Sequence, residues 1–183
     1  DIVLRTMITT LPGAGAYLIS AAVAAAAAAD AAAPLMEVDR YLFGRGGRWL
    51  TEIFAARATV SSKLVVLTGL REGAERAAAE AAIRADVPYV AVLPFPDPHL
   101  WAPGTDRARV ADLLGRAREV VTLEKKQPAD RAAFAKAMAR RDSWLARAAD
   151  EAILVWDEDD ARFTRLHKDL DAQLGPAIVI LHP

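Results

Sequence analysis

A turn bracketed by two glycines carries the chemistry that this sequence could offer to a ligand. Gly69 follows an apolar run, Gly73 stands four residues later, and Arg71 lies between them. Glycine permits positive φ and close backbone approach, and arginine can grip a phosphate with two hydrogen bonds. Such a turn, opening a helix, would point amide groups at an anion. The same spacing also occurs in strand-to-helix turns that bind nothing, and this alternative stays open.

Charged residues near this turn and further along the chain are additional candidates. Glu75 would lie in the first turn of the following helix, where an acid favours the helix dipole. It cannot form a close pair with Glu80, because a step of five residues turns the two side chains about 140° apart on a helix. Arg140 and Arg141 could bind a nucleotide phosphate, although a solvated helix face is the commoner position for such residues.

An acidic run and two tryptophans each allow a binding role and a structural role. Asp157 ends a predicted strand, where it could bind a magnesium ion or a hydroxyl. The run 157–160 fits equally well as the acid-rich start of a helix. Trp144 and Trp156 could stack on a base, or they could be core residues.

A proline-rich loop follows the second predicted strand, with the sequence PFPDPHLWAPG. It carries Phe95, His99 and Trp101 and is long enough to act as a lid over a bound base. The alternative is a rigid surface loop held by its prolines.

Other nucleophile and metal-ligand patterns are missing from the sequence. The absence of cysteine excludes disulfides, Cys-ligated metal sites and a thiol nucleophile. The histidines are far apart without HExxH spacing, and the serines lack a G-x-S-x-G elbow. We therefore predict no metal site and no bound cofactor. The histidines are His99, His167 and His182, and the serines are Ser20, Ser61, Ser62 and Ser143.

Composition narrows the class of protein. The net charge of −1 over 183 residues provides no broad basic field, so the sequence predicts no general nucleic-acid binding. Hydrophobic residues make up 54% of the chain, but alanine supplies much of this share. The absence of cysteine suits the cytoplasm, which is the predicted location.

The elements that must position these residues follow from the hydrophobic pattern. Short apolar runs rich in β-branched residues alternate with stretches of helical length, a pattern typical of buried parallel strands joined by helices. We predict an α/β, Rossmann-like, three-layer parallel sheet of about five strands with helices on both faces. The predicted strands are Leu64–Leu67, Tyr89–Leu93, Val120–Leu123, Ala152–Trp156 and Ala177–Leu181; the predicted helices are 72–86, 106–118, 129–149 and 160–174.

The first part of the chain differs from the rest, so we assign 1–60 to an Ala-rich, mainly helical N-terminal region and 63–183 to the Rossmann-like domain. The run 13–33 favours a helix packed through small side chains. A membrane span is disfavoured because alanine contributes little insertion energy and Asp30 would lie inside it. A secretory signal has only Arg5 as an upstream base. Residues 37–58 predict a helix leading into the domain.

Two separated blocks of the sequence resemble the SLOG superfamily of Rossmann-like proteins. The first block is TGLREGAERAAAEAAIRADVPYVAVLPFP and the second is RRDSWLARAADEAILVWDE. The resemblance covers residues 63–183, and the similarity is to bacterial members related to the lonely-guy and DNA-processing proteins. It implies that Glu75, which stands where similar proteins carry an aspartate near the ligand, could accept ribose hydroxyls. The matching positions are Gly69, Leu70, Gly73, Ala74, Glu75, Ala79, Glu80, Pro88, Ala91–Phe95, Arg141, Trp144, Asp150 and Val155–Asp157.

The sequence departs from this superfamily at the main phosphate loop. Where such proteins place Gly-Gly-Thr, residues 158–164 read EDDARFT, and four acids at 157–160 would repel a phosphate. The PGGxGTxxE signature is also missing, so the residues of phosphoribohydrolase chemistry cannot be carried over.

The resemblance and the turn together predict a domain that binds or senses a nucleotide-type ligand without phosphoribohydrolase chemistry. Its ligand-binding residues would be Gly69, Leu70, Arg71, Gly73, Glu75, Arg141 and Asp157. The alternative is a non-catalytic accessory subunit of a larger assembly, and a nucleotide N-glycosidic hydrolase ranks third. A protein partner at the N-terminal region, a homo-oligomer and a membrane contact by 13–33 stay open.

Overall fold

The computed structural model of the chain describes residues 5–9, 47–98, 106–155 and 161–181. Within these ranges, strands and helices alternate along the chain. The strands are β1 (Arg5–Thr9), β2 (Val65–Thr68), β3 (Tyr89–Leu93), β4 (Glu119–Thr122), β5 (Glu151–Val155) and β6 (Ile178–Leu181). The helices are α1 (Gly47–Val60), α2 (Ala74–Arg84), α3 (Arg107–Arg116), α4 (Arg131–Ala148) and α5 (Ala161–Leu174).

The strands form one parallel sheet in the order β4-β3-β2-β1-β5-β6. β1 lies inside the sheet, pairing Thr6 with Val66 of β2 and with Glu151 of β5. The chain order reverses direction between β1 and β5, because β2, β3 and β4 extend one way from β1 and β5 and β6 the other. In open parallel sheets this switch point, at the carboxyl ends of the strands, is where ligands bind.

Two separate hydrophobic clusters show that both faces of the sheet are covered. One cluster joins Val66 of β2 to Phe54 of α1 and Leu113 of α3, together with the alanines of α2. The other joins Leu67 of β2 to Leu145 of α4, and it also includes Leu170 of α5. Because neighbouring strand residues face opposite sides, this division gives a three-layer arrangement with α1–α3 on one face and α4–α5 on the other.

Helix α2 is the most enclosed helix in the described part of the chain. Ala78, Ala79, Ala81 and Ala82 have no exposed surface. Alanine is the strongest helix former, and its small side chain lets the sheet and α1 approach the helix closely. The helix ends at Arg84, and Asp86 then takes a left-handed conformation with φ of 55° before Pro88.

The predicted fold class is confirmed, with two differences in the sheet. The sheet has a sixth strand, β1, drawn from residues that the sequence analysis placed in the N-terminal region. The prediction that every strand is buried was wrong for β4, whose Glu119, Val120 and Thr122 are exposed because the strand lies at the edge of the sheet.

The rest of the N-terminal prediction is tested only in part. Helix α1 confirms the second half of the helix predicted over 37–58, while the Ala-rich run 13–33 lies outside the described residues. None of the described helices is both long and apolar enough to cross a membrane.

Candidate functional site

The end of β2 fixes the glycine turn through the hydroxyl of Thr68. This fully buried hydroxyl donates to the carbonyl of Glu75 at 2.7 Å and accepts from the amide of Leu70 at 3.3 Å. The strand end is thereby tied to the first turn of α2, so the intervening turn has little freedom.

The turn itself has two residues with positive φ. Leu70 takes a φ of 58°, a region that residues with a side chain seldom enter. Gly73, at the N-cap of α2, takes a φ of 95° and a ψ of −137°, which in practice only glycine adopts. No side chain caps the helix at this position. The predicted turn is therefore a strained strand-to-helix connection at the carboxyl edge of the sheet.

A buried ion pair lies directly beneath the turn. Arg141 of α4 donates from Nη2 to Oε1 of Glu75 at 3.1 Å and from Nη1 to Oε2 at 3.3 Å. Both residues are fully buried. Two parallel hydrogen bonds of this kind fix the relative orientation of guanidinium and carboxylate. Because the two residues are 66 positions apart, the pair ties α2 on one face of the sheet to α4 on the other.

Asp142 provides the second carboxylate of this network. Its Oδ1 accepts from Nε of Arg141 at 2.9 Å and from Nη2 at 2.6 Å. Burial acts to lower the pKa of Arg141, but Glu75 and Asp142 outweigh it and hold the pKa above its ordinary value. Burial raises the pKa of Asp142, against the opposing effect of Arg141. The arginine therefore stays charged and is neutralised inside the protein.

The position of Gly69 depends on this network. A Cβ atom added there would lie 2.5 Å from Oε2 of Glu75 and closer still to Nη1 of Arg141. Only a residue without a side chain leaves room for the ion pair to pass so near the backbone. The first glycine of the turn is thus explained by close packing against charged groups.

Arg71 lies on the outer side of the same network. Its amide donates to Oε2 of Glu75 at 3.2 Å, and its Nη1 is 3.9 Å from Oε1 of the same residue. Its side chain keeps 21% of its surface exposed, unlike the fully buried Arg141. Burial lowers the pKa of Arg71, and Glu75 opposes this shift. Arg71 is the cation of the turn that solvent can still reach.

A second arginine, Arg76, lies in the first turn of α2. It is buried, with 7% of its surface exposed, and its Nε has no hydrogen-bond partner. An unsatisfied buried donor costs free energy unless an acceptor reaches it. Arg76 therefore adds an unused donor at the same helix terminus.

Six of the seven predicted ligand-binding residues come together here: Gly69, Leu70, Arg71, Gly73, Glu75 and Arg141. Asp157 lies outside the described residues. The expectation that Arg141 lies either at a phosphate or on a solvated face missed its actual surroundings, because the guanidinium is enclosed and bonded to two carboxylates. The involvement of these residues in ligand binding stays a prediction.

The remaining candidates divide between surface and core. Arg140 is on the solvated face, where it pairs with Glu124 at 2.6 Å. Trp144 is half-buried and packs against the core, which supports its structural role. Phe95 is fully buried with its ring edge-on to Phe134 at 5.7 Å, so it is a core residue, and the role of the rest of the proline-rich loop stays a prediction.

His99, Trp101, Trp156 and the acidic run 157–160 lie outside the described residues. Among the residues that are described, no three His, Asp or Glu side chains are grouped so that they could hold a metal ion.

Sequence reasoning missed Thr68 and Asp142. Thr68 ends an apolar strand directly before Gly69, a position where a buried hydroxyl needs a local hydrogen-bond partner. Asp142 follows Arg141 in an arginine-rich stretch of a helix that must pack on the sheet. The acidic residue directly after this arginine was the sequence signal that could have predicted a buried ion pair.

Comparison with known proteins supports the fold and does not assign the chain to a family. No protein-family model matches the chain, and no curated protein matches it. Among solved structures, the chain is similar to DNA processing protein A (DprA) from Streptococcus pneumoniae, with 13% identity and a TM-score of 0.57. The match covers 97% of this chain and 50% of that one, so this chain spans about half the length of its structural neighbour. The protein therefore has a Rossmann-like fold distantly similar to that of DprA.

Proposed function

We propose that this domain binds a phosphorylated nucleotide-type ligand at the Gly69–Gly73 turn and has no phosphoribohydrolase activity. The observation that carries the proposal is a strained turn, opening an uncapped helix, that is held in place by a buried charge network. Burying Glu75, Arg141 and Asp142 requires costly desolvation, and hydrophobic residues can often replace such groups without loss of stability. The presence of the network is therefore best explained by the precise turn that it maintains.

The proposal divides the residues into two roles. Glu75, Arg141 and Asp142 position the turn from below and do not touch the ligand. The helix terminus at Gly73 and the side chains of Arg71 and Arg76 contact a phosphate, because a helix N-terminus and arginine both favour an anion. Asp157, two residues beyond the end of β5, is retained as a candidate partner for a sugar hydroxyl.

Thermal unfolding in the presence of a ligand panel tests this proposal. The panel contains AMP, cyclic AMP, ADP-ribose and, because the structural neighbour is named for DNA processing, a short single-stranded oligonucleotide. A ligand at about 100 times its Kd adds about 2.7 kcal/mol to the free energy of unfolding, enough for a measurable rise in Tm.

Arg71→Gln provides the first variant for this test. Loss of the charge-assisted bond should weaken binding of the active ligand at least about tenfold, since such bonds contribute about 1.5–3 kcal/mol. Arg116→Gln is the matched control, because Arg116 is also an arginine paired with a carboxylate but lies in the last turn of α3. Equal weakening in both variants would show that general charge, and not this turn, attracts the ligand.

The second candidate function is that of a non-catalytic accessory subunit. It is favoured by one observation: the amides of Leu70 and Arg71 are already occupied by Thr68 and Glu75, while Arg141 is enclosed. The absence of a Tm rise with every panel member, together with co-purification in a defined assembly, would support this function over ligand binding.

A further inference from the structure

Positive charge is concentrated in one segment of this nearly neutral chain. Residues 118–147 contain eight of the 23 Lys and Arg residues but only four of the 24 Asp and Glu residues. This segment therefore has a net charge of +4, and the other residues together have a net charge of −5. The segment runs from the residue before β4, through the connection, to the last turn of α4. Segregation of this kind creates a local field that the net charge of −1 conceals.

The fold gathers most of these bases on one exposed surface. Lys136, Arg140 and Arg147 are exposed and lie within an arc of about 40° on α4. Lys125 and Lys126, also exposed, precede the helix. The ion pair between Arg140 and Glu124 ties this connection to the same side of α4. We call these five bases the basic face.

The opposite side of α4 is buried inside the protein. Leu145 and Ala146 are buried in the cluster beneath the sheet, and Arg141 and Asp142 belong to the buried charge network. The basic face is therefore on the solvent side of α4, where its charges can interact only with solvent or with a partner.

From this arrangement we propose that the basic face docks an acidic segment of a partner protein. Charge complementarity supplies the attraction and the long-range steering. Three exposed alanines, Ala132, Ala135 and Ala139, line the helix beside Lys136 and Arg140, and they offer apolar contact that a side chain of a protein partner can use.

The same surroundings disfavour a nucleic-acid strand. Proteins that bind single-stranded nucleic acids combine basic side chains with exposed aromatic rings on which nucleobases stack. On α4, Phe134 is half-buried against Phe95 and Trp144 is half-buried against the core. The basic face thus has charges for phosphates but no exposed ring among the described residues of α4. The docking proposal rests on the exposed side of α4 and does not depend on ligand binding at the Gly69–Gly73 turn.

Fluorescence anisotropy with a labelled Glu-rich amphipathic helical peptide tests the docking. Matched probes are the same peptide with Gln in place of Glu and a single-stranded oligonucleotide of equal charge. We expect binding of the acidic peptide at about 50 mM salt, weakening as screening increases, and no binding of the Gln peptide. Tighter binding of the oligonucleotide than of the acidic peptide would overturn the proposal in favour of a nucleic-acid surface.

Charge-reversal variants of the full chain locate the binding. The test variant combines Lys126→Glu, Lys136→Glu and Arg147→Glu, and leaves the Arg140–Glu124 pair intact. The control combines Lys63→Glu, Arg107→Glu and Lys168→Glu, three exposed bases outside the face, so that both proteins have the same net charge. The test variant should lose at least about tenfold in affinity and the control less than about threefold. Equal losses, or no peptide binding by the unaltered chain, would refute the docking surface.

Discussion

Two arginine–carboxylate networks in this molecule contain the same chemical groups in opposite surroundings. Beneath the glycine turn, Arg141 is fully enclosed and bonded to Glu75 and Asp142. Between α2 and α3, Arg109 reaches Glu80 at 2.6 Å while keeping 45% of its side chain exposed. Water screens the second pair, whereas the first depends entirely on its protein partners. We therefore expect burial, more than bond length, to decide how much each network contributes to the free energy of unfolding.

Removing the enclosed arginine should have the largest effect. Arg141→Met leaves the carboxylates of Glu75 and Asp142 buried without their cation, so the free energy of unfolding should fall by about 3–5 kcal/mol. Urea unfolding at neutral pH measures this loss. Adding Glu75→Gln to Arg141→Met should recover part of it by removing one of the stranded charges. If Arg141→Met lowered the free energy of unfolding by less than about 1 kcal/mol, the network would not be important for stability.

Crowding the same network should have an intermediate effect. In Gly69→Ala the new methyl group would overlap Glu75 and Arg141, and overpacking of this kind costs about 1–3 kcal/mol. Gly115→Ala in α3 is the matched control, because a Cβ there meets no atom within 4 Å. In a helix this control substitution should not destabilise, and it can add up to about 1 kcal/mol. Equal unfolding midpoints in denaturant for the two variants would contradict the close packing at Gly69.

Removing the exposed arginine should have the smallest effect. Arg109→Met breaks the pair with Glu80 in solvent, where such pairs contribute about 0.2–1 kcal/mol. Thermal unfolding at low and high salt checks this, and the difference from the unaltered protein should shrink as salt increases. A loss as large as that of Arg141→Met would remove the distinction between the two networks.

Local patterns were sufficient to predict most of the fold. Apolar β-branched runs and the stretches between them located β2 to β6 and α2 to α5 to within about two residues, since burial on both faces of a sheet leaves a strong sequence signal. β1 was not predicted, because its five residues stand alone before a long low-complexity segment. β4 was expected to be buried because the sequence of a strand does not reveal its place in the sheet.

The candidate site was predictable in its backbone and not in its charges. Gly69 and Gly73 marked the turn because glycine is required for close approach at one and positive φ at the other. The pairing of Glu75 with Arg141 was not visible, since 66 residues separate them and nothing local shows that an arginine on a helix is enclosed. Sequence reasoning therefore did not reveal that two of the predicted ligand-binding side chains bind each other.

The most direct test of the account is an NMR titration of the nitrogen-15-labelled chain with the ligand that raises Tm most. We predict that the amide resonances of Gly73 and Ala74 shift progressively with ligand, while the Arg141 guanidinium keeps the resonances of its buried pair. Shifts that avoid the Gly69–Gly73 turn, or a titration that releases Arg141 from Glu75, would contradict a turn held ready from below for an anionic ligand.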